Sequence, residues 1–186
     1  MLETSGLAAQ VAAAEPRLGQ VRLVVVDGPA GSGKSTLAAG LAHAVGNPPV
    51  VPMDDLYEGW TGLDDRVLAR LHTQVLEPVA RGARGRYRRY DWDAGQFADW
   101  VDLPPHPVLV VEGVGAAARS VDPLASLRIW VEVPHALRMA RGVSRDGEHL
   151  RGEWGRWADL ERAHFAADGT RGRADVVVDG TRPVRL

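Results

Sequence analysis

Two periods of apolar and polar positions alternate along the chain. Val21 to Val26, Val108 to Val111 and Leu127 to Val133 are runs rich in β-branched residues, interrupted only at Arg22 and in the last run. Runs of that length and kind predict strands buried on both faces. Between them the spacing widens to three and four. Val67, Leu68, Leu71, Val75 and Leu76 fall on one face of a helix opened by Asp64, and Pro78 to Gly85 reads as a break after it. Further helices are predicted over 2–16, from Ser35 to Val45, from His135 to Arg145 and from Glu153 to Ala167. Shorter strands are expected at Val50 to Pro52, Arg86 to Asp91 and Ala174 to Val178. Apolar strands alternating with amphipathic helices predict α/β architecture: a doubly wound parallel sheet with helices on both faces. No repeat or linker divides the 186 residues, so one domain over 1–186 is expected, with an N-terminal helix over 1–18 and a core over 19–180.

In such sheets ligands bind beyond the carboxyl ends of the strands. After the first long strand comes Gly28-Pro29-Ala30-Gly31-Ser32-Gly33-Lys34-Ser35, which fits G-x-x-x-x-G-K-[ST]. Glycines let the loop turn so that successive N–H groups face one centre, and the following helix points its positive end there. Thus Gly28, Ala30, Gly31, Ser32, Gly33, Lys34, Ser35 and Thr36 are expected to bind ATP. Lys34 would reach the β and γ phosphates, the Ser35 hydroxyl a Mg²⁺ ion, and Thr36 the α-phosphate.

Composition sharpens this reading at one position. Of 22 basic residues, Lys34 is the only Lys, and the other 21 are Arg. A narrow phosphate cradle suits a compact point charge better than a planar fork. The absence of cysteine excludes disulfides, thiolate catalysis and Cys-ligated zinc. A net charge of −2 argues against nucleic acid or membrane as a partner, even with the basic run Arg81, Arg84, Arg86, Arg88 and Arg89. Met1 to Arg17 carries neither a basic leader nor a long apolar stretch, so a cytoplasmic protein is expected.

Acidic residues follow two other strands. Asp54 and Asp55 come after the short second strand, and Glu112 after Val111. Asp54 is the expected base for an acceptor hydroxyl, with Asp55 and Glu112 as alternatives. Ser35, Asp54 and Glu112 are the expected metal residues. Arg138, Arg141 and Arg145 share a helical face beside the break at Asp146-Gly147, as in a lid over about 138–153 that closes on a triphosphate. Trp60, Trp92 and Trp100 stand in loop-like sequence, where they would stack on a ligand or pack.

Several of these segments together resemble the uridine kinase-like family of P-loop kinases. They are Asp27-Gly28 to Thr36, Met53-Asp54-Asp55-Leu56-Tyr57, Arg89-Tyr90-Asp91-Trp92, Val111-Glu112-Gly113-Val114, and Arg138 to Asp146 followed by Arg151-Gly152. They run in family order over roughly residues 20 to 180. The resemblance implies an ATP- and Mg²⁺-dependent kinase acting on a small hydroxyl-bearing acceptor, nucleoside-like by preference. It implies Asp54 as base, with Tyr57, Tyr90, Asp91, Trp92, Glu112 and Arg138 toward the acceptor. It puts Arg141, Arg145 and Arg151 on the phosphates. Where nucleoside-specific members carry a His after the Tyr-Asp pair, this chain has Asp93-Ala94-Gly95-Gln96 and no His before His106. The alternatives are another P-loop transferase, such as a nucleotide or adenylylsulfate kinase, and an ATP-dependent switch without a small-molecule acceptor.

Overall fold

A computed structural model describes residues 2–182 and 184–185. The chain opens with β1 (Leu2–Glu3) and α1 (Thr4–Ala13), followed by β2 (Arg22–Asp27) and α2 (Lys34–Ala44). Next come β3 (Val50–Pro52), α3 (Asp65–Arg70) and α4 (Glu77–Ala80), the last two joined by a π-helical stretch, Leu71–Leu76. A hairpin of β4 (Arg86–Asp91) and β5 (Gln96–Asp102) leads to β6 (Val108–Glu112) and β7 (Ala125–Glu132). The last elements are α5 (His135–Asp146), α6 (Arg151–Asp168), α7 (Thr170–Arg173), β8 (Val176–Asp179) and β9 (Val184–Arg185).

The five strands β3, β6, β2, β7 and β8 lie in that order, every neighbouring pair parallel. Successive side chains of a strand point to opposite faces, and here both faces are covered. Leu23 and Val25 of β2 join Leu109 and Val111 of β6 in one core, beneath Val67, Leu71, Val75 and Leu76 of the α3–α4 region. Val24 and Val26 join Val110, Ile129 and Val131 in the other, beneath Leu7, Val11, Leu37 and Leu41 of α1 and α2. The sheet is therefore the doubly wound parallel sheet that the apolar runs predict.

Three local readings change. The first residues pair rather than coil, with Leu2 and Glu3 in register with Val184 and Arg185, so the helix starts at Thr4 and ends at Ala13. Pro78 sits inside α4, not after the helix. A proline in a helix clashes with the carbonyl four residues back, and the wider π turn just before it relieves that crowding. Trp100 lies on a strand, because β5 pairs antiparallel with β4, Arg88 opposite Trp100. That strand is mostly exposed, so no apolar period announces it. Asp64 does cap α3, its carboxylate accepting the Arg66 N–H at 2.9 Å.

Register brings the carboxyl ends of the inner strands to one rim. Glu112 stands opposite Val26 on one side and Pro52 on the other. The phosphate loop, Asp54 and Glu112 consequently meet at the same edge. Among the described residues no helix is long and apolar enough to cross a membrane.

Candidate active site

The loop between β2 and α2 is held from below. Asp27 is fully buried, and its carboxylate accepts the N–H of Gly28 at 2.6 Å, Gly115 at 3.1 Å and Ala117 at 2.9 Å. Burial raises its pKa to about 6 against the pull of these amide bonds and of Lys34. Gly28 and Gly31 have φ of 143° and 78°. A Cβ at Gly28 would lie 2.2 Å from the Val131 carbonyl oxygen, and one at Gly31 2.5 Å from that of Arg138. Both glycines are thus required by backbone shape and by close approach.

The loop encloses polar groups whose hydrogen-bonding capacity is not filled among the described residues. Lys34 is 7% exposed, and its Nζ donates to the Pro29 carbonyl of its own loop at 3.0 Å. The Ser32 hydroxyl is buried and without a partner among the described residues. The α2 N-terminus has Gly33 as N-cap and no side-chain cap. A buried cation, an orphaned hydroxyl and an open helix N-terminus fit a polyphosphate. They line a cleft of about 390 Å³ with Ser35, Thr36, Asp54, Glu112, Arg141 and Arg145.

Glu112 is buried and lines the cleft together with Ser35. Burial raises its pKa, Lys34 opposes the rise, and Asp54 adds to it. Asp54 stands exposed at the rim, and partial loss of water there raises its pKa against Lys34 and Arg145. Among the described residues no cluster of three or more His, Asp or Glu forms a metal cage. A hydroxyl with one or two carboxylates fits a Mg²⁺ ion completed by phosphate oxygens and water.

A second cleft of about 490 Å³ adjoins the first. The two share Ala30, Asp54, Arg145, Trp154 and Trp157. Its remaining walls are Tyr57, Trp60, Trp92, Asp93, Asp146 and Leu150. Trp60 contacts Trp92, Trp154 and Trp157 edge to face, with centroids 5.6, 6.2 and 6.2 Å apart. The Trp92 indole N–H donates to the Asp54 carbonyl at 3.0 Å, tying the hairpin to the strand end that carries Asp54.

No protein-family model matches the chain. It is 26% identical over 132 residues to the inorganic pyrophosphatase TTM2 of Arabidopsis thaliana, covering 67% of this chain and spanning only 20% of that protein. Among solved structures it superposes on a candidate uridine kinase from Bacillus stearothermophilus with a TM-score of 0.71 and 18% identity, over 95% of this chain and 97% of the other. A candidate fructose transport system kinase from Silicibacter sp. TM1040 matches with a TM-score of 0.62 and 25% identity, over 95% and 99%. The chain has the fold of the uridine kinase-like P-loop kinases.

Within that P-loop kinase fold, most of the sequence-predicted residues come together. Ala30 to Thr36, Asp54, Glu112, Arg141 and Arg145 line the phosphate cleft. Asp54, Tyr57, Trp92 and Arg145 line the second. Gly28 lies behind the loop against β7. The others stand elsewhere. Tyr90 is buried between Trp92 and Phe97 inside the hairpin. Asp91 closes the hairpin turn, accepting the N–H groups of Asp93 and Ala94 at 3.0 and 2.9 Å. Arg151 is exposed and forks onto Glu148. Asp55 accepts the Tyr87 hydroxyl at 2.8 Å and is not among the residues lining either cleft.

The expected arginine face divides. Arg138 is buried, ion-paired to Glu161 at 2.5 Å and within 3.4 Å of the Ala30 carbonyl, so it braces the loop from beneath. Arg141 and Arg145 are exposed toward the cleft, Arg141 donating to the Gly180 carbonyl at 3.1 Å and Arg145 forked on Asp146. Sequence reasoning missed Glu161, whose other oxygen accepts the Ala30 N–H at 2.8 Å. Its signal was present, because Glu161 continues the Trp154, Trp157, Ala158 face of α6, where a charge is out of place.

Proposed function

We propose that this chain is an ATP-dependent kinase that transfers the γ-phosphoryl group to the hydroxyl of a small molecule, nucleoside-like acceptors being the first to try. The observation that carries this reading is the position of Asp54 at the junction of the two clefts, the phosphate loop on one side and an aromatic chamber on the other. Phosphoryl transfer asks a protein mainly for positioning and charge neutralisation. Lys34, the loop amides and the α2 N-terminus would hold the triphosphate. Ser35, with Glu112 and Asp54, would hold Mg²⁺, which when bound offsets charge on the phosphates. Asp54 would take the proton of the acceptor hydroxyl as its oxygen bonds to the γ-phosphorus and ADP departs. Arg141 and Arg145 would offset the charge that develops, and the tryptophans would keep water from competing. Such a kinase works where ATP is plentiful, which favours the cytoplasm.

A nucleotide or adenylylsulfate kinase needs an anion site for its acceptor. The arginines of the hairpin do not supply one. Arg86 lies over Trp100 at 4.4 Å, Arg88 donates to the Phe97 carbonyl at 2.7 Å, and Arg89 pairs with Asp99 at 3.3 Å.

The test is ADP release by the purified protein with ATP and Mg²⁺ against nucleosides, sugars, vitamins and small alcohols. Acceptor-dependent ADP that disappears in Lys34→Ala supports the kinase. Tight ATP binding with no acceptor dependence would favour the ATP-dependent switch without a small-molecule acceptor.

A further inference from the structure

Arg145 and Asp146 are neighbours at the end of α5, and a helix alone does not produce their pairing. Adjacent residues on a helix do not face each other. Asp146 is also the last residue of α5, before Gly147 leaves the helix with a φ of 106°. The carbonyl end of a helix disfavours a carboxylate. Yet the Asp146 carboxylate accepts Arg145 Nε at 2.7 Å and Arg145 Nη2 at 3.0 Å. The bonds from Arg145 hold the Asp146 carboxyl below the usual carboxylate range, so it is charged near neutral pH.

A third group fixes this fork. The Trp154 indole of α6 donates to the same carboxylate at 3.1 Å. Trp154 is in turn held by packing. It is 2% exposed, and a Cβ at Gly142 of α5 would come within 2.4 Å of its ring. Glycine at that position lets the two helices approach so closely. A chain of contacts therefore runs from the α5–α6 packing through Trp154 and Asp146 to Arg145. An ion pair between two free, exposed side chains is weak and poorly oriented, whereas here the carboxylate is anchored from behind.

The fork occupies the Nε–Nη2 edge of a guanidinium that carries five N–H groups. The Nη1 group and one N–H of Nη2 are left without a partner among the described residues. Arg145 lines the phosphate cleft and Asp146 does not. An arginine held in advance loses less side-chain freedom when it meets a phosphate.

Resting on the kinase reading above, we infer that Asp146, anchored by Trp154, is a positioning residue that presents the free edge of Arg145 to the γ-phosphate of the nucleotide.

The test is calorimetric titration of the full chain in Mg²⁺ with ADP and with the β,γ-imido analogue of ATP. The ratio of the two affinities reports contacts to the γ-phosphate. Arg145→Ala should weaken the analogue relative to ADP. Asp146→Asn should shift the ratio in the same direction, about threefold to tenfold. Trp154→Phe keeps a ring and loses the N–H, and should shift it by less. Arg145→Ala combined with Asp146→Asn should shift it no further than Arg145→Ala alone, because Asp146 acts only through Arg145. A merely structural role would weaken both nucleotides together, or add to the loss in the double variant, and either result overturns the inference. An unchanged ratio in Asp146→Asn or in Arg145→Ala also overturns it. So does a ratio in Asp146→Asn that moves toward the analogue, which would make Asp146 a competitor of the phosphate for Arg145. In all these cases the kinase reading stands as long as the analogue binds to wild type. Failure of the analogue to bind refutes the kinase reading itself.

Discussion

Asp54 and Asp55 are neighbours with different work, and the sequence alone could not separate them. Both follow β3 in a short turn, Met53–Asp55. The Asp55 carboxylate is taken by the Tyr87 hydroxyl, while that of Asp54 opens on both clefts. The choice between them depended on β4, a segment more than thirty residues away, and no local pattern carries that. Asp54→Asn should keep ATP affinity within a few fold and slow acceptor-dependent ADP release by about 10²–10⁴, the usual loss for a general base. Asp55→Asn should keep turnover near wild type and cost about 1–3 kcal/mol of stability in urea unfolding, through the weakened bond to Tyr87. The reverse pattern would move the base to Asp55. Lys34, by contrast, was legible from its place in the loop motif and from being the lone Lys in an arginine-rich chain.

At the scale of elements, the buried parallel strands were legible because their apolar character is continuous, and β5 was not because its residues are mostly exposed. The brace under the phosphate loop was hidden for another reason, since it joins three distant elements. Glu161 of α6 links Arg138 of α5 to the Ala30 amide. Burial raises the Glu161 pKa, and the Ala30 amide and Arg138 oppose that rise. Glu161→Gln would leave the Arg138 charge buried without a counterion, so a loss of about 3–5 kcal/mol is expected in urea unfolding. Weaker ATP binding should accompany it, because the loop loses its support. Arg138→Met added to Glu161→Gln should recover part of the stability, and no recovery would mean that the pair is not what braces the loop. Asp27 gives a second test at the base of the same loop. Its folded-state pKa is raised from 3.8 to about 6, so folding favours the protonated carboxyl. Its contribution is fully present below about pH 4 and is lost as pH rises through about 6. Urea unfolding at pH 4.5 and 7 should show wild type losing about 2 kcal/mol more over that interval than Asp27→Asn. Parallel slopes in the two proteins would mean that Asp27 does not titrate there.

Across the whole molecule, the two clefts turn ligand binding into a stability measurement that is independent of knowing the acceptor. The phosphate cleft draws on the β2–α2 loop, α2, β6, β7, α5, α6 and the segment after β8, all of which must be in place together. A ligand bound only by the folded state stabilises it by mass action, about 2.7 kcal/mol at a hundredfold excess over its Kd. Mg²⁺·ATP should therefore raise the unfolding temperature of wild type by several degrees for a chain of this size. Lys34→Ala should lose most of that rise while unfolding at a similar temperature without nucleotide. Lys34 contributes one hydrogen bond, to the carbonyl of its own loop, so its loss costs the free protein little. Asp54→Asn should keep most of the rise, because Ser35 and Glu112 would still hold Mg²⁺ while Lys34 and the loop amides hold the phosphates. A rise in wild type that Lys34→Ala retains in full would place the nucleotide outside the loop, and the assignment of both clefts would then have to be abandoned together.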